Sequence, residues 1–158
     1  MEYISTRNKE KIYSFYDVFL KGLAPDGGLF VPRNFPKYSL KELKNLEKCS
    51  YEELASKIIS NFCGNEFEEN EIKKMVKSSY KNFRTNNVVE IKKIDKFYLL
   101  ELFHGPTLAF KDIAMQVIGN MYKKVLEKTN SKINVIVATS GDTGAAAINA
   151  IKDIKNMK

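Results

Sequence analysis

Little in this sequence points to an exported, cross-linked or membrane-embedded protein. Among 158 residues there are two cysteines, Cys49 and Cys63. That is too few for a disulfide framework, so a reducing, cytoplasmic setting is the expectation. No stretch approaches the ~20 consecutive apolar residues of a membrane helix, and no membrane association is expected. The opening Met1-Glu2-Tyr3-Ile4-Ser5 lacks the apolar centre of a secretory signal. Eight glycines and four prolines exclude a collagen-like or proline-rich disordered chain. The single histidine, His104, and two distant cysteines cannot supply a zinc site of usual spacing, so no metal is expected. Neither sign of charge dominates, although the formal net charge is +7. Lys73, Lys74, Lys77 and Lys81 make a basic helical stripe, but it follows Glu66, Glu68, Glu69 and Glu71, which partly cancel its charge, and it is not a concentrated basic patch. A solvated face is the expectation there, not a nucleic-acid surface.

What is present reads as an ordinary globular chain, 44% apolar and 28% charged. Residues 1–87 read as a helical amino-terminal subdomain. Ser14-Phe15-Tyr16-Asp17, Ser39-Leu40-Lys41-Glu42 and Ser50-Tyr51-Glu52-Glu53 are capping boxes, each with a serine at the N-cap and a carboxylate three residues on. Gly22 is a helix stop, and Phe15, Val18 and Phe19 share one face. Ala24-Pro25-Asp26-Gly27-Gly28 predicts a tight turn, followed by extended Leu29-Phe30-Val31. Ile72, Met75, Val76, Ser79, Tyr80 and Phe83 share a face of a further helix starting near Glu68.

Residues 88–158 change character. Strands are predicted over 88–94 and 97–103 about an Asp95-Lys96 turn, then a helix over about 110–128. The β-branched run Ile133-Asn134-Val135-Ile136-Val137-Ala138 predicts a strand buried on both faces, and an alanine-rich helix follows over about 143–155. This order predicts an α/β fold with parallel strands and a right-handed crossover. Ligands in such sheets bind beyond the carboxyl ends of strands, where residues 104–109 and 139–144 fall.

Charge nearly vanishes around those two loops. Between Tyr98 and Tyr122 only Glu101, Lys111 and Asp112 are charged; between Ile133 and Ile151 only Asp142 is. Lys111 follows Leu108-Ala109-Phe110, where desolvation and the positive end of a helix both disfavour an ammonium. A neutral amine there can attack an aldehyde. The alternative is a lysine that lays its stem over Phe110 and keeps its charge in water. Thr139-Ser140-Gly141-Asp142-Thr143-Gly144 leads from the expected strand into a helix, a placement suited to an anion, though not a P-loop. Asp142 would repel that anion; it either caps the helix or accepts a hydrogen bond from a protonated ring or hydroxyl. His104, before Gly105-Pro106, is a site residue or a turn histidine bonded to backbone. No histidine adjoins Ser140 in sequence to propose a triad.

Four segments, in order, resemble the signatures of the threonine synthases. They are Tyr3-Ile4-Ser5-Thr6-Arg7; Gly22-Leu23-Ala24-Pro25-Asp26-Gly27-Gly28-Leu29-Phe30-Val31-Pro32; Leu102-Phe103-His104-Gly105-Pro106-Thr107-Leu108-Ala109-Phe110-Lys111-Asp112; and Ala138-Thr139-Ser140-Gly141-Asp142-Thr143-Gly144. Asn8 stands where that family usually has glycine. The resemblance implies a fold-type-II, tryptophan-synthase-beta-like enzyme with pyridoxal 5'-phosphate as cofactor. Residues 88–158 would be the first βαβα unit of its parallel-sheet domain. It implies that Lys111 carries the cofactor, flanked by Phe110, and that Asp142 faces the cofactor's phenolic oxygen or ring edge. Ser140, Gly141, Thr143 and Gly144 would bind substrate carboxylate, and His104 and Thr107 would line the substrate side. The implied reaction converts O-phospho-L-homoserine and water to L-threonine and phosphate. A related phospho-lyase, or a non-catalytic binding module, would share much of this sequence. The family's remaining sheet, its glycine-rich loop for the cofactor phosphate and its hydroxyl partner for the pyridine nitrogen are not found among the 158 residues, so an incomplete, truncated domain is expected.

Overall fold

A tie between two distant turns organises the start of the chain. In the computed structural model, which describes residues 1–158, strand β1 (Tyr3–Ser5) pairs antiparallel with β2 (Phe30–Pro32), with Tyr3 opposite Pro32 and Ser5 opposite Phe30. Ser5 is fully buried; its hydroxyl donates to Asp26 Oδ1 at 2.7 Å and accepts from the Arg7 N–H at 3.1 Å. Asp26 Oδ1 also accepts from the Gly28 N–H at 2.9 Å, and these bonds, Gly28 first, hold its carboxyl below the usual range. The first two signature segments are thus one hydrogen-bonded unit. The extended stretch expected over residues 29–31 is β2, shifted by one residue; β1 is not expected from the sequence, since three residues carry no period of their own and only the partner defines them.

The first of two units in the chain spans Met1–Lys73, the second Lys74–Lys158, with the division inside a helix. In the first unit α1 (Phe15–Lys21), α2 (Leu40–Leu46) and α3 (Tyr51–Cys63) each open on the expected capping box, at Ser14, Ser39 and Ser50. In each box the serine hydroxyl accepts from the third residue's N–H, and that residue's carboxylate accepts from the serine N–H, which satisfies two otherwise orphaned donors. Phe15 centres the core. Its ring lies 5.9 Å from Phe67, edge-on, and 6.4 Å from Tyr3. The Tyr3 hydroxyl donates to the Phe62 carbonyl at 2.6 Å. Burial pushes the Tyr3 phenol and the Cys63 thiol each up to about 12.

Helix α4 (Glu69–Tyr80) buries Ile72, Met75, Val76, Ser79 and Tyr80, the face expected from the spacing, and leaves Lys73, Lys74 and Lys77 exposed. In the second unit β3 (Glu90–Ile94) and β4 (Phe97–Glu101) form an antiparallel hairpin. Helix α5 (Asp112–Thr129) buries Val117, Met121, Val125 and Leu126, and α6 (Asp142–Ile151) packs against it through Ala146 and Ala147. Their approach is close enough that a Cβ on Gly119 would stand 2.5 Å from the Ala150 carbonyl oxygen. Gln116 Nε2 donates to Asn149 Oδ1 across the same contact at 3.0 Å. Tyr80 OH reaches the Ile113 carbonyl at 3.2 Å, fixing the end of α4 to α5. No helix is long and apolar enough to cross a membrane.

The architecture is mixed α/β, as expected, with one departure. Residues 133–138 form no ladder buried on both faces. Ile133 makes a single parallel bridge to Met157, supported by the Val135 N–H donating to the Lys158 carbonyl, while Ile136 is 94% exposed. A parallel strand becomes a strand only through its neighbours, and here the single neighbour is residues 156–158. Both sheets are antiparallel pairs, so the parallel crossover expected from 97–103 through α5 to 133–138 does not form; the one parallel bridge spans α6 instead.

Candidate functional site

The third signature segment begins where β4 ends. Glu101, the last residue of that strand, is 6% exposed, and its carboxylate serves two partners. Oε1 takes Lys92 Nζ at 2.9 Å, and Oε2 takes His104 Nε2 at 2.9 Å. The Lys92 contact, then the His104 contact, holds the Glu101 carboxyl below its ordinary range. An ionised carboxylate only accepts, so Nε2 carries the imidazole proton and Nδ1 is left for other work. The His104 carbonyl accepts from the Arg84 N–H at 2.8 Å, which fixes the backbone entering the turn. His104 is therefore bonded to a side chain through its ring and to backbone through its carbonyl. Glu90, Glu101 and His104 have ligand atoms within 4.8 Å of one another. Lys92 already balances the charge at the centre of that group.

From Gly105 to Asp112 the chain makes a tight loop. The Leu108 N–H donates to the Gly105 carbonyl at 3.2 Å, and Leu108 takes a left-handed φ of 63°. For a side chain of that kind the conformation costs about 1–2 kcal/mol, so the loop must be held by something else. That anchor is Asp112, which is completely buried. Its Oδ2 accepts from the Thr107 N–H at 2.8 Å and its Oδ1 from the Thr107 hydroxyl at 2.7 Å. Gly105 packs directly on the Asp112 side chain, and a Cβ there would collide with it. Thr107 thus spends its hydroxyl proton inside the protein and offers the outside only acceptor lone pairs. From the sequence alone Asp112 has no assigned role beyond its place in the third segment. The pairing depends on the turn through left-handed Leu108, which the sequence does not reveal.

Lys111 is the N-cap of α5, with helical backbone angles and an N–H···O bond from Met115 to its carbonyl. Its Nζ lies 4.5 Å from the centroid of the Phe110 ring, and that ring is 59% exposed. The amine itself, rather than the stem, sits over the Phe110 ring, and no carboxylate holds it. A carbonyl cofactor requires an amine of this kind: anchored at the backbone, flanked by an aromatic face and not committed to an ion pair. The residues present therefore fit pyridoxal 5'-phosphate at its aldehyde.

The fourth segment opens α6. Asp142 is its first residue, one earlier than expected, and is exposed; Gly141 is the N-cap. No side-chain bond caps the helix. Thr139 Oγ1 accepts from the Gly141 N–H at 3.3 Å, and the Gly141 carbonyl accepts from Ala145 at 3.1 Å. Ser140 is exposed, Thr143 half-buried and Gly144 buried against Thr139. The hydrogen bonds of this turn are local. The structure gathers His104, Thr107, Phe110 and Lys111 on one anchored segment and sets residues 140–144 on a second.

The chain matches, over residues 2–80, the family described as threonine synthase N terminus. It is similar to the threonine synthase of Pseudomonas aeruginosa, 40% identical over 158 residues, which cover 99% of this chain and 34% of that protein. It is also similar to a protein named threonine synthase-like 2 from Pongo abelii, 35% identical over 99% of this chain and 33% of the other. Among solved structures, a threonine synthase from Brucella melitensis described as PLP-bound superposes with a TM-score of 0.94 at 39% identity, covering 99% of this chain and 34% of that one. The yeast threonine synthase gives the same TM-score, 0.94, at 37% identity and the same coverage. The chain spans about a third of the length of these relatives.

Proposed function

The chain belongs to the threonine synthase family, and from that premise we propose that it forms the cofactor-bearing part of an enzyme that converts O-phospho-L-homoserine and water to L-threonine and phosphate. The observation that carries the proposal is Lys111: an amine without a carboxylate partner, at the N-cap of α5, next to a buried carboxylate that fastens its loop. Residues 1–87 are then the family's amino-terminal subdomain, and 88–158 the start of its cofactor domain.

Lys111 and Phe110 would hold pyridoxal 5'-phosphate, with Asp142 toward the ring edge. The cofactor, when bound, supplies a sink for the electron pair left on the substrate's α-carbon. The chain's own part is binding and proton transfer. Ser140, Gly141, Thr143 and Gly144 offer hydroxyl and N–H donors, at the positive end of α6, to the substrate carboxylate. Lys111 takes the proton from the α-carbon; on an anchored loop one amine stays in reach of adjacent carbons, which is the proximity contribution. His104, its Nε2 committed to Glu101, presents Nδ1 toward the substrate side.

The test is a chimera in which residues 1–158 replace the matching third of the Pseudomonas aeruginosa enzyme. Release of phosphate together with threonine from O-phospho-L-homoserine, lost in Lys111→Ala, is the expected result. Phosphate without threonine would assign the phospho-lyase chemistry instead. A folded chimera with neither product would refute the proposal.

A further inference from the structure

We propose that Asp112 is a positioning residue for Lys111, acting through Thr107. This rests on the reading that Lys111 carries the cofactor. Asp112 opens α5 with an acidic side chain, yet the side chain points back along the chain. Both carboxylate oxygens are used on one residue, Thr107, one on its N–H and one on its hydroxyl. Residues 107–112 are thereby closed into a ring, and Lys111 is the member directly before the closing carboxylate. The ring contains Leu108 in its left-handed conformation and has Gly105 pressed against it, so it has little room to relax. A fully buried carboxylate with two charge-assisted bonds and the start of a helix beside it is a rigid anchor. Its removal frees the loop on which the amine sits, while the packed face of α5 (Val117, Met121, Val125) stays in place.

Asp112→Asn and Asp112→Ala separate the geometry from the charge. Asparagine can accept from the Thr107 N–H and donate to the Thr107 hydroxyl, which is able to accept; alanine can do neither. In the chimera, Asp112→Ala is expected to lower kcat about 100-fold with KM changed less than about 3-fold, the loss typical of a reacting group displaced by about 1 Å. Asp112→Asn is expected to retain activity within about 5-fold of the parent, and Thr107→Val/Asp112→Ala to be no worse than Asp112→Ala alone. A second readout needs no turnover: the rate at which added pyridoxal 5'-phosphate becomes fixable by borohydride on Lys111, followed by peptide mass. It should fall about 10-fold in Asp112→Ala and about 3-fold in Thr107→Val, as a mobile amine loses its orientation. Should Asp112→Ala fail to fold, Thr107→Val carries the test, and an unchanged fixation rate in it overturns the proposal. A folded Asp112→Ala that fixes cofactor and turns over like the parent overturns it equally. A parent chimera in which Lys111 is never fixed refutes the assignment of Lys111 itself, and this inference with it.

Discussion

Replacing Asp142 by alanine separates a structural from a chemical role more cleanly than the sequence suggested. A capping aspartate would cost about 1 kcal/mol to remove. The structure shows no such bond: Asp142 is the first residue of α6, exposed, and the N-cap is Gly141. What remains is the attraction of its charge to the helix N-terminus, about 0.3–1 kcal/mol at low salt. In a chain of this size that is a fall in melting temperature of up to roughly 3 °C. A hydrogen bond accepted by Asp142 from a protonated ring or hydroxyl at the cofactor edge is worth about 1.5–3 kcal/mol, or roughly 10- to 100-fold in kcat/KM. The kinetic loss should therefore outrun the stability loss. Thermal melts of the 158-residue chain and kinetics of the chimera, each for Asp142→Ala and Asp142→Asn, make the comparison. A kcat/KM within twofold of the parent, beside a lowered melting temperature, would refute the assigned role.

Other outcomes follow from the same geometry. Purified residues 1–158 with saturating pyridoxal 5'-phosphate should release no phosphate from O-phospho-L-homoserine, because the related enzymes are about three times as long and the expected phosphate loop is not among these residues; Lys111-dependent release would contradict this. Gly119→Ala should destabilise the chain by about 1–3 kcal/mol in urea unfolding, since the new Cβ meets the Ala150 carbonyl oxygen at 2.5 Å. The sign is decisive, because glycine to alanine inside an unobstructed helix stabilises by about 0.5–1 kcal/mol. Stability should also fall between pH 9 and 12. Tyr3 and Cys63 ionise near 10 and 9 in the unfolded chain and near 12 when buried, so the unfolded state releases its protons first. Their contribution is complete below pH 9 and lost as pH rises; a melting temperature flat to pH 12 would contradict the burial of both groups.

Local chemistry was legible in the sequence, and partnership was not. Ser14, Ser39 and Ser50 announce their helices because each capping box closes within four residues. The buried face of α4 follows from spacing alone. Strand β1 escaped notice because it exists through β2, some 25 residues away, and the strand expected over 133–138 is limited to one bridge because its pairing depends on distant chain. At the site, Lys111 could be singled out from its apolar flanks and the motif around it. The bonds that anchor it could not: Asp112 to Thr107 and Glu101 to His104 depend on a turn whose geometry, including the left-handed Leu108, no composition reveals.

The most direct measurement is of where the cofactor is held. Borohydride reduction of the chimera with pyridoxal 5'-phosphate, followed by peptide mass mapping, should place the pyridoxyl mass on Lys111. Lys111→Ala should then show neither that adduct nor visible cofactor absorption nor phosphate release. A reducible adduct retained in Lys111→Ala, or mapped to another lysine in the parent, would contradict it.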